Sequence, residues 1–261
     1  MPRRRWAAFA LAALLFGARP ASAAAGDPFA YDPRVAADPA TTEVVRAPHP
    51  DGRGILWVHW LGDAATSNRT EFRAEAQTLA ASGVTSVLVD GMWSHPDWFE
   101  KLRTPQTDER DLIAQVIALR RALDLLAAQP GVDATHLMLV GHDFGAMYGA
   151  LTAAVDPRVR DLVLMTPAWT FWEWFLFTPV SDASAYVARM SAYDLPRWLP
   201  RTHARAVLFQ YAKRDPYVAS TNALAAKSVL PGRDTTVSSY EVGHALDESA
   251  RRDRDAWLLT H

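Results

Sequence analysis

Apolar and polar positions follow two alternating rhythms along this chain. Short, mostly apolar runs at 55–59, 84–89, 136–141, 161–165 and 206–209 have the length of strands buried on both faces. Between them lie longer stretches with helical spacing. Residues 70–82 have it and stop at Gly83, a fitting C-terminal cap. Residues 108–128 carry Leu112, Val116, Leu119, Leu123 and Leu126 on one side. Residues 144–155 and 247–259 read as two more helices, and 237–241 as a last strand. This alternation predicts an α/β fold: a doubly wound, mostly parallel sheet with helices on both faces. Sites in such sheets lie beyond the C-terminal strand ends. The one long interruption, 167–205, is expected to form a short helical insertion over the active site, too short for an independent lid domain.

The first residues break the pattern. Arg3, Arg4 and Arg5 precede an apolar stretch from Trp6 to Phe16, and Ala21-Ser22-Ala23 offers small residues for cleavage. This reads as a signal peptide over 1–23, with one domain over 24–261 and an exported product, periplasmic or secreted. A membrane anchor is the alternative, although the run is short for a bilayer. The adjacent arginines leave Sec and twin-arginine export both open.

Composition narrows the chemistry. The 261 residues contain no cysteine, which removes disulfides, thiolate metal sites and a cysteine nucleophile. The net charge of −2 gives no basic surface for nucleic acid, so the expected partner is a small-molecule substrate. No metal or cofactor is expected, nor stable membrane insertion once the leader is removed.

Candidate chemistry concentrates in Gly141-His142-Asp143-Phe144-Gly145. A buried strand, a tight Gly-x-Asp-x-Gly turn and a helix make the layout of a nucleophile elbow, which pushes one side chain out over the sheet edge. No Gly-x-Ser-x-Gly competes with it. Asp215 in Arg214-Asp215-Pro216 follows one strand and His244 in Gly243-His244-Ala245 follows the last. The order nucleophile, acid, histidine points to a catalytic triad of Asp143, Asp215 and His244. A turn-capping Asp215 and a structural His244 are the plainer alternatives, and Glu173 is the runner-up acid. His142 points away from the elbow apex and is expected to be a support residue.

On these residues the chain resembles the alpha/beta-hydrolase superfamily. The compact core, the Asp-Pro-x-Val turn and the Gly-His turn look like the dienelactone-hydrolase branch. The Gly-His-Asp-Phe-Gly elbow looks like haloalkane dehalogenases and epoxide hydrolases, which use an aspartate nucleophile. The resemblance implies an oxyanion hole from backbone N–H groups, with Phe144 supplying one and Trp60 or Leu61 the other. The chain departs from the dehalogenase pattern by carrying Phe144 where tryptophan usually follows the nucleophile. Tyr186 and Tyr193 lie in the interval where epoxide hydrolases carry two proton-donating tyrosines.

A carboxylate is ionised at neutral pH and needs no base to attack. Its attack on an sp3 carbon yields an alkyl-enzyme ester, whereas attack on an ester carbonyl yields an uphill anhydride. The leading expectation is therefore a hydrolase of carbon–halogen or epoxide substrates, with His244 activating water in the second step. Two alternatives stay open: an esterase-like or dienelactone-hydrolase-like enzyme on acyl substrates with Asp143 as base, and a non-catalytic binding protein. The aromatic run 169–177, with Trp169 and Trp172, either lines an apolar pocket together with Trp93, Tyr186 and Tyr193 or packs as a buried helix.

Overall fold

A computed structural model describes residues 27–63, 65–175, 180–219 and 221–261. The expected leader over 1–23 lies outside the described residues. Seven strands form one sheet in the order β1-β3-β2-β4-β5-β6-β7. They are β1 (Thr42–Val45), β2 (Gly52–Val58), β3 (Thr85–Val89), β4 (Val132–His142), β5 (Val159–Met165), β6 (Ala206–Ala212) and β7 (Asp234–Tyr240). Only β1 runs antiparallel, pairing with β3. The others are parallel to their neighbours, so their C-terminal ends meet along one edge.

Alternation within each central strand explains the two-sided core. Leu56 and Val58, Leu137 and Leu139, and Leu162 and Leu164 belong to one apolar cluster. Ile55 and Trp57, Met138 and Val140, and Val163 and Met165 belong to the other. Two helices, α2 (Asp108–Ala127) and α3 (Phe144–Val155), cover the first face. On the second face Ala76 and Leu79 of α1 (Arg73–Ala80) pack with Leu258 of α8 (Glu248–Thr260). A buried ion pair ties these two together: Arg254 donates to Glu75 at 2.8 and 2.6 Å. A further helix, α7 (Thr221–Val229), joins β6 to β7.

The 167–205 insertion forms α4 (Phe171–Phe175), α5 (Ala183–Met190) and α6 (Leu195–Trp198). It was expected over the site, but much of it packs on the helical layer beside the site. The hydroxyls of Tyr186 and Tyr193 donate to Asp108 at 2.5 Å and Glu109 at 2.8 Å on α2. Among the described residues no helix is long and apolar enough to cross a membrane.

Candidate active site

At the elbow the chain leaves β4 and enters α3 through Asp143, whose φ of 54° and ψ of −114° are unusual for a side-chain-bearing residue. Such a conformation costs on the order of 1–3 kcal/mol and persists where the surroundings enforce it. They do so here. The Asp143 N–H donates to the Met165 carbonyl at 2.8 Å. Gly145 lets α3 approach β2, since a Cβ there would lie 2.0 Å from the Val58 carbonyl oxygen. Gly141 lets the turn close on itself, since a Cβ there would lie 2.3 Å from the Gly145 carbonyl oxygen.

Three loops bring their side chains to this point. Past β7, the His244 ring lies between two carboxylates. Its Nδ1 contacts Asp215 Oδ2 at 2.7 Å, and its Nε2 stands 3.6 Å from Asp143 Oδ1, an ion pair just beyond hydrogen-bond range. Past β6, Asp215 is itself held by the N–H groups of Tyr217 and Val218 at 2.8 and 2.9 Å. Past β2, the Leu61 N–H donates to Asp143 Oδ2 at 3.1 Å. The structure thus brings Asp143, His244 and Asp215 together at the C-terminal sheet edge, whereas Glu173 is exposed on α4.

Electrostatics follow from this arrangement. Burial works against charge on His244, but the close carboxylate of Asp143 and the hydrogen bond and charge of Asp215 outweigh it and push its pKa up to about 9. Burial likewise works against charge on Asp215. The hydrogen bond and charge of His244 prevail, helped by the two backbone N–H groups, and hold its carboxyl below the usual range.

Several expected site residues lie elsewhere. The Trp60 N–H cannot serve an oxyanion, because it donates to Glu71 Oε2 at 2.8 Å. Its indole N–H goes to Thr66 at 3.1 Å, and its ring stacks on His142 and His244 at 5.0 and 6.1 Å. The Phe144 N–H stands at the first position of α3, where an N–H has no intrahelical acceptor. Trp93 is core: it is buried against Phe144 and Tyr148, and its indole N–H donates to the Trp60 carbonyl at 3.1 Å. Trp169 packs on Phe209, and Trp172 packs against the same core cluster. Tyr186 and Tyr193 are spent on Asp108 and Glu109, so neither faces the triad.

The cleft beside His244 has a volume of about 840 Å³. Its walls include Trp60, Leu61, Phe99, Trp174 and Tyr217. From the 167–205 insertion, Trp174 alone among the described residues lines it. Sequence reasoning missed Phe99 and Tyr217 as wall residues. Tyr217 had a usable signal, lying two residues past the candidate acid. Phe99 had none, since it lies in a one-turn π-helix (Trp98–Leu102). No group of three or more His, Asp or Glu side chains that could hold a metal occurs among the described residues.

No protein-family model matches the chain, and no curated protein does. Solved structures do. An acetyl xylan esterase from Paenibacillus sp. R4 superposes with a TM-score of 0.66 at 16% identity, over 84% of this chain and 79% of that one. A putative dienelactone hydrolase from Klebsiella pneumoniae gives 0.59 at 18% identity, over 84% and 92%. The 2,6-dihydroxy-pseudo-oxynicotine hydrolase gives 0.63 at 14% identity, over 86% of this chain and 66% of its own length. At such identities the likeness carries the fold alone. With the sheet order, the elbow and the loop positions above, the chain has the alpha/beta-hydrolase fold.

Proposed function

We propose that this protein hydrolyses a small apolar molecule through an ester formed on Asp143. One observation carries the reading: Asp143 Oδ2 sits on the Leu61 N–H while Oδ1 faces His244 Nε2. An oxyanion donor is thus aimed at the carboxyl of Asp143 itself. A substrate's acyl carbonyl would find that donor taken.

In the first step Asp143 attacks an sp3 carbon. A carbon–oxygen bond to the side chain forms, and the leaving group departs with its electron pair. At neutral pH His244 carries a proton, retained by two carboxylates. Alkylation cancels the charge of Asp143, so the proton is released to the leaving group or to solvent. Neutral His244 then takes a proton from water as the water oxygen bonds to Asp143 Cγ. Oδ2 gathers the negative charge against the Leu61 N–H. Collapse expels the alcohol with that proton, and the second proton of the water passes from the Asp143 acid to His244, restoring the carboxylate and the charged ring. The formation of the ester therefore itself readies the base for breaking it.

The aromatic cleft suits a planar apolar substrate. Carbon–halogen bonds remain the leading candidates, because the expected tyrosine proton donors for an epoxide are committed elsewhere. The names of the fold neighbours favour a second reading, a hydrolase of acyl substrates such as esters or lactones, and offer no support for dehalogenation. That reading requires Asp143 to leave Leu61 and act as a base on water. A screen of haloalkanes, haloacids, epoxides, aryl esters and lactones, followed by halide and proton release, separates the two. Turnover of acyl substrates alone selects the second. We also propose export, on the leader alone.

A further inference from the structure

Glu71 does not line the cleft, yet three parts of the site meet on it. It belongs to a single turn of 3-10 helix, Arg69–Phe72. Its Oε2 accepts the Trp60 N–H at 2.8 Å. Its Oε1 meets His142 Nδ1 at 2.5 Å. The other nitrogen of that ring, Nε2, meets the main-chain carbonyl of His244 at 3.1 Å. The carbonyl can only accept, so Nε2 carries a hydrogen. The ring is fully buried, so both contacts are shielded from water.

We propose that Glu71 and His142 are a positioning unit, holding the Leu61 N–H on Asp143 and the His244 loop against the elbow. The inference rests on the covalent reading above and concerns its second step. The Trp60 N–H lies one residue before the Leu61 N–H, so fixing the first orients the second toward Asp143 Oδ2. The His244 carbonyl anchors the same residue whose ring must keep Nε2 near Oδ1. A carboxylate can accept from both Trp60 and His142. A glutamine could keep the same contacts, its oxygen accepting from Trp60 and its amide donating to Nδ1 of a neutral His142, so the test needs a side chain that makes neither.

The two chemical steps depend on this unit unequally. Alkylation needs the Asp143 carboxylate as nucleophile. Breakdown needs both the Leu61 N–H, where charge gathers on Oδ2, and His244 as base. A displacement of about 1 Å in such groups costs on the order of a hundredfold in rate.

The test compares Glu71→Ala, His142→Gln and the double variant, each first shown to melt in one cooperative transition. In single turnover, the ester on Asp143 should form within about threefold of the parent rate and break down about a hundredfold more slowly, so that it accumulates. The double variant should be no worse than the worse single, because the two residues act as one unit. Equal slowing of both steps, an unchanged breakdown rate, or multiplicative effects overturns the proposal. If Glu71→Ala does not fold, Glu71→Asp, which keeps both oxygens on a shorter arm, should show the same split at smaller size. A second readout needs no substrate. In an NMR titration of the histidines, Glu71→Ala should lower the His244 midpoint by about one pH unit or more as Nε2 leaves Asp143. An unchanged midpoint overturns the positioning role. If the midpoint falls but no substrate ever modifies Asp143 in the parent, the positioning role stands and the covalent reading fails.

Discussion

Replacing Asp143 by asparagine preserves the shape of the elbow and removes one charge from beside His244. The His244 side chain is only 7% exposed, so solvent screens its partners little. Raising its midpoint from 6.5 to about 9 corresponds to about 3 kcal/mol in favour of the charged ring. Because the folded value is raised, this stabilisation is fully present below the unfolded value of 6.5. It is lost as pH climbs through about 9. In Asp143→Asn, Asp215 alone opposes the burial penalty. An opposite charge at this range is worth about one to three pH units, so the midpoint should fall to between about 6 and 8. The share of the stability lost between about pH 6 and about pH 10 that His244 contributes should shrink from about 3 kcal/mol to below about 2 kcal/mol. Histidine NMR titration gives the midpoint, and urea unfolding at the two pH values gives the stability difference. A His244 midpoint near 6.5 in the parent refutes the electrostatic reasoning, as does one that does not move in Asp143→Asn.

Three further expectations follow from particular contacts. Tyr186→Phe and Tyr193→Phe should keep kcat within about threefold while costing about 1–3 kcal/mol of stability, since their hydroxyls serve Asp108 and Glu109; a loss of turnover with an intact fold would return them to the chemistry. Glu75→Gln leaves buried Arg254 without its charge partner and should cost about 3–5 kcal/mol in urea unfolding; a change below about 1 kcal/mol would show that the pair is not buried as described. N-terminal sequencing of protein from its native compartment should begin near Ala24, and an intact Met1 contradicts export through the 1–23 leader.

How far the sequence led depended on whether a feature was local. The β4 run and the helix from Phe144 to Val155 were legible because apolar length, two glycines and a helical period coincide within one stretch. The edge strand β1 was not, since its four residues Thr42–Val45 include two polar ones and form no apolar run. The helix α7 was missed because its alanine-rich sequence has little sidedness. The triad residues could be nominated from their places after strand ends. Which of the Trp60 and Leu61 N–H groups meets Asp143 could not be read, because a carboxylate eleven residues away takes the first. Tyr186 and Tyr193 were misplaced for a similar reason: their acceptors are on α2, 78 and 84 residues upstream. The aromatic run around Trp172 was ambiguous in the sequence, and the fold divides it, with Phe171 and Phe175 in the core and Trp174 on the cleft.

The central claim is that Asp143 becomes esterified, and peptide mass spectrometry tests it most directly. The His244→Gln variant, which cannot activate water, is mixed with a substrate that the parent turns over. The peptide carrying Asp143 should gain the mass of the transferred group, Asp143→Asn should gain nothing, and parent turned over once in oxygen-18 water should carry the label in Asp143. An unmodified peptide from His244→Gln, together with an unlabelled Asp143 after parental turnover, contradicts the claim and leaves Asp143 as a base acting on water.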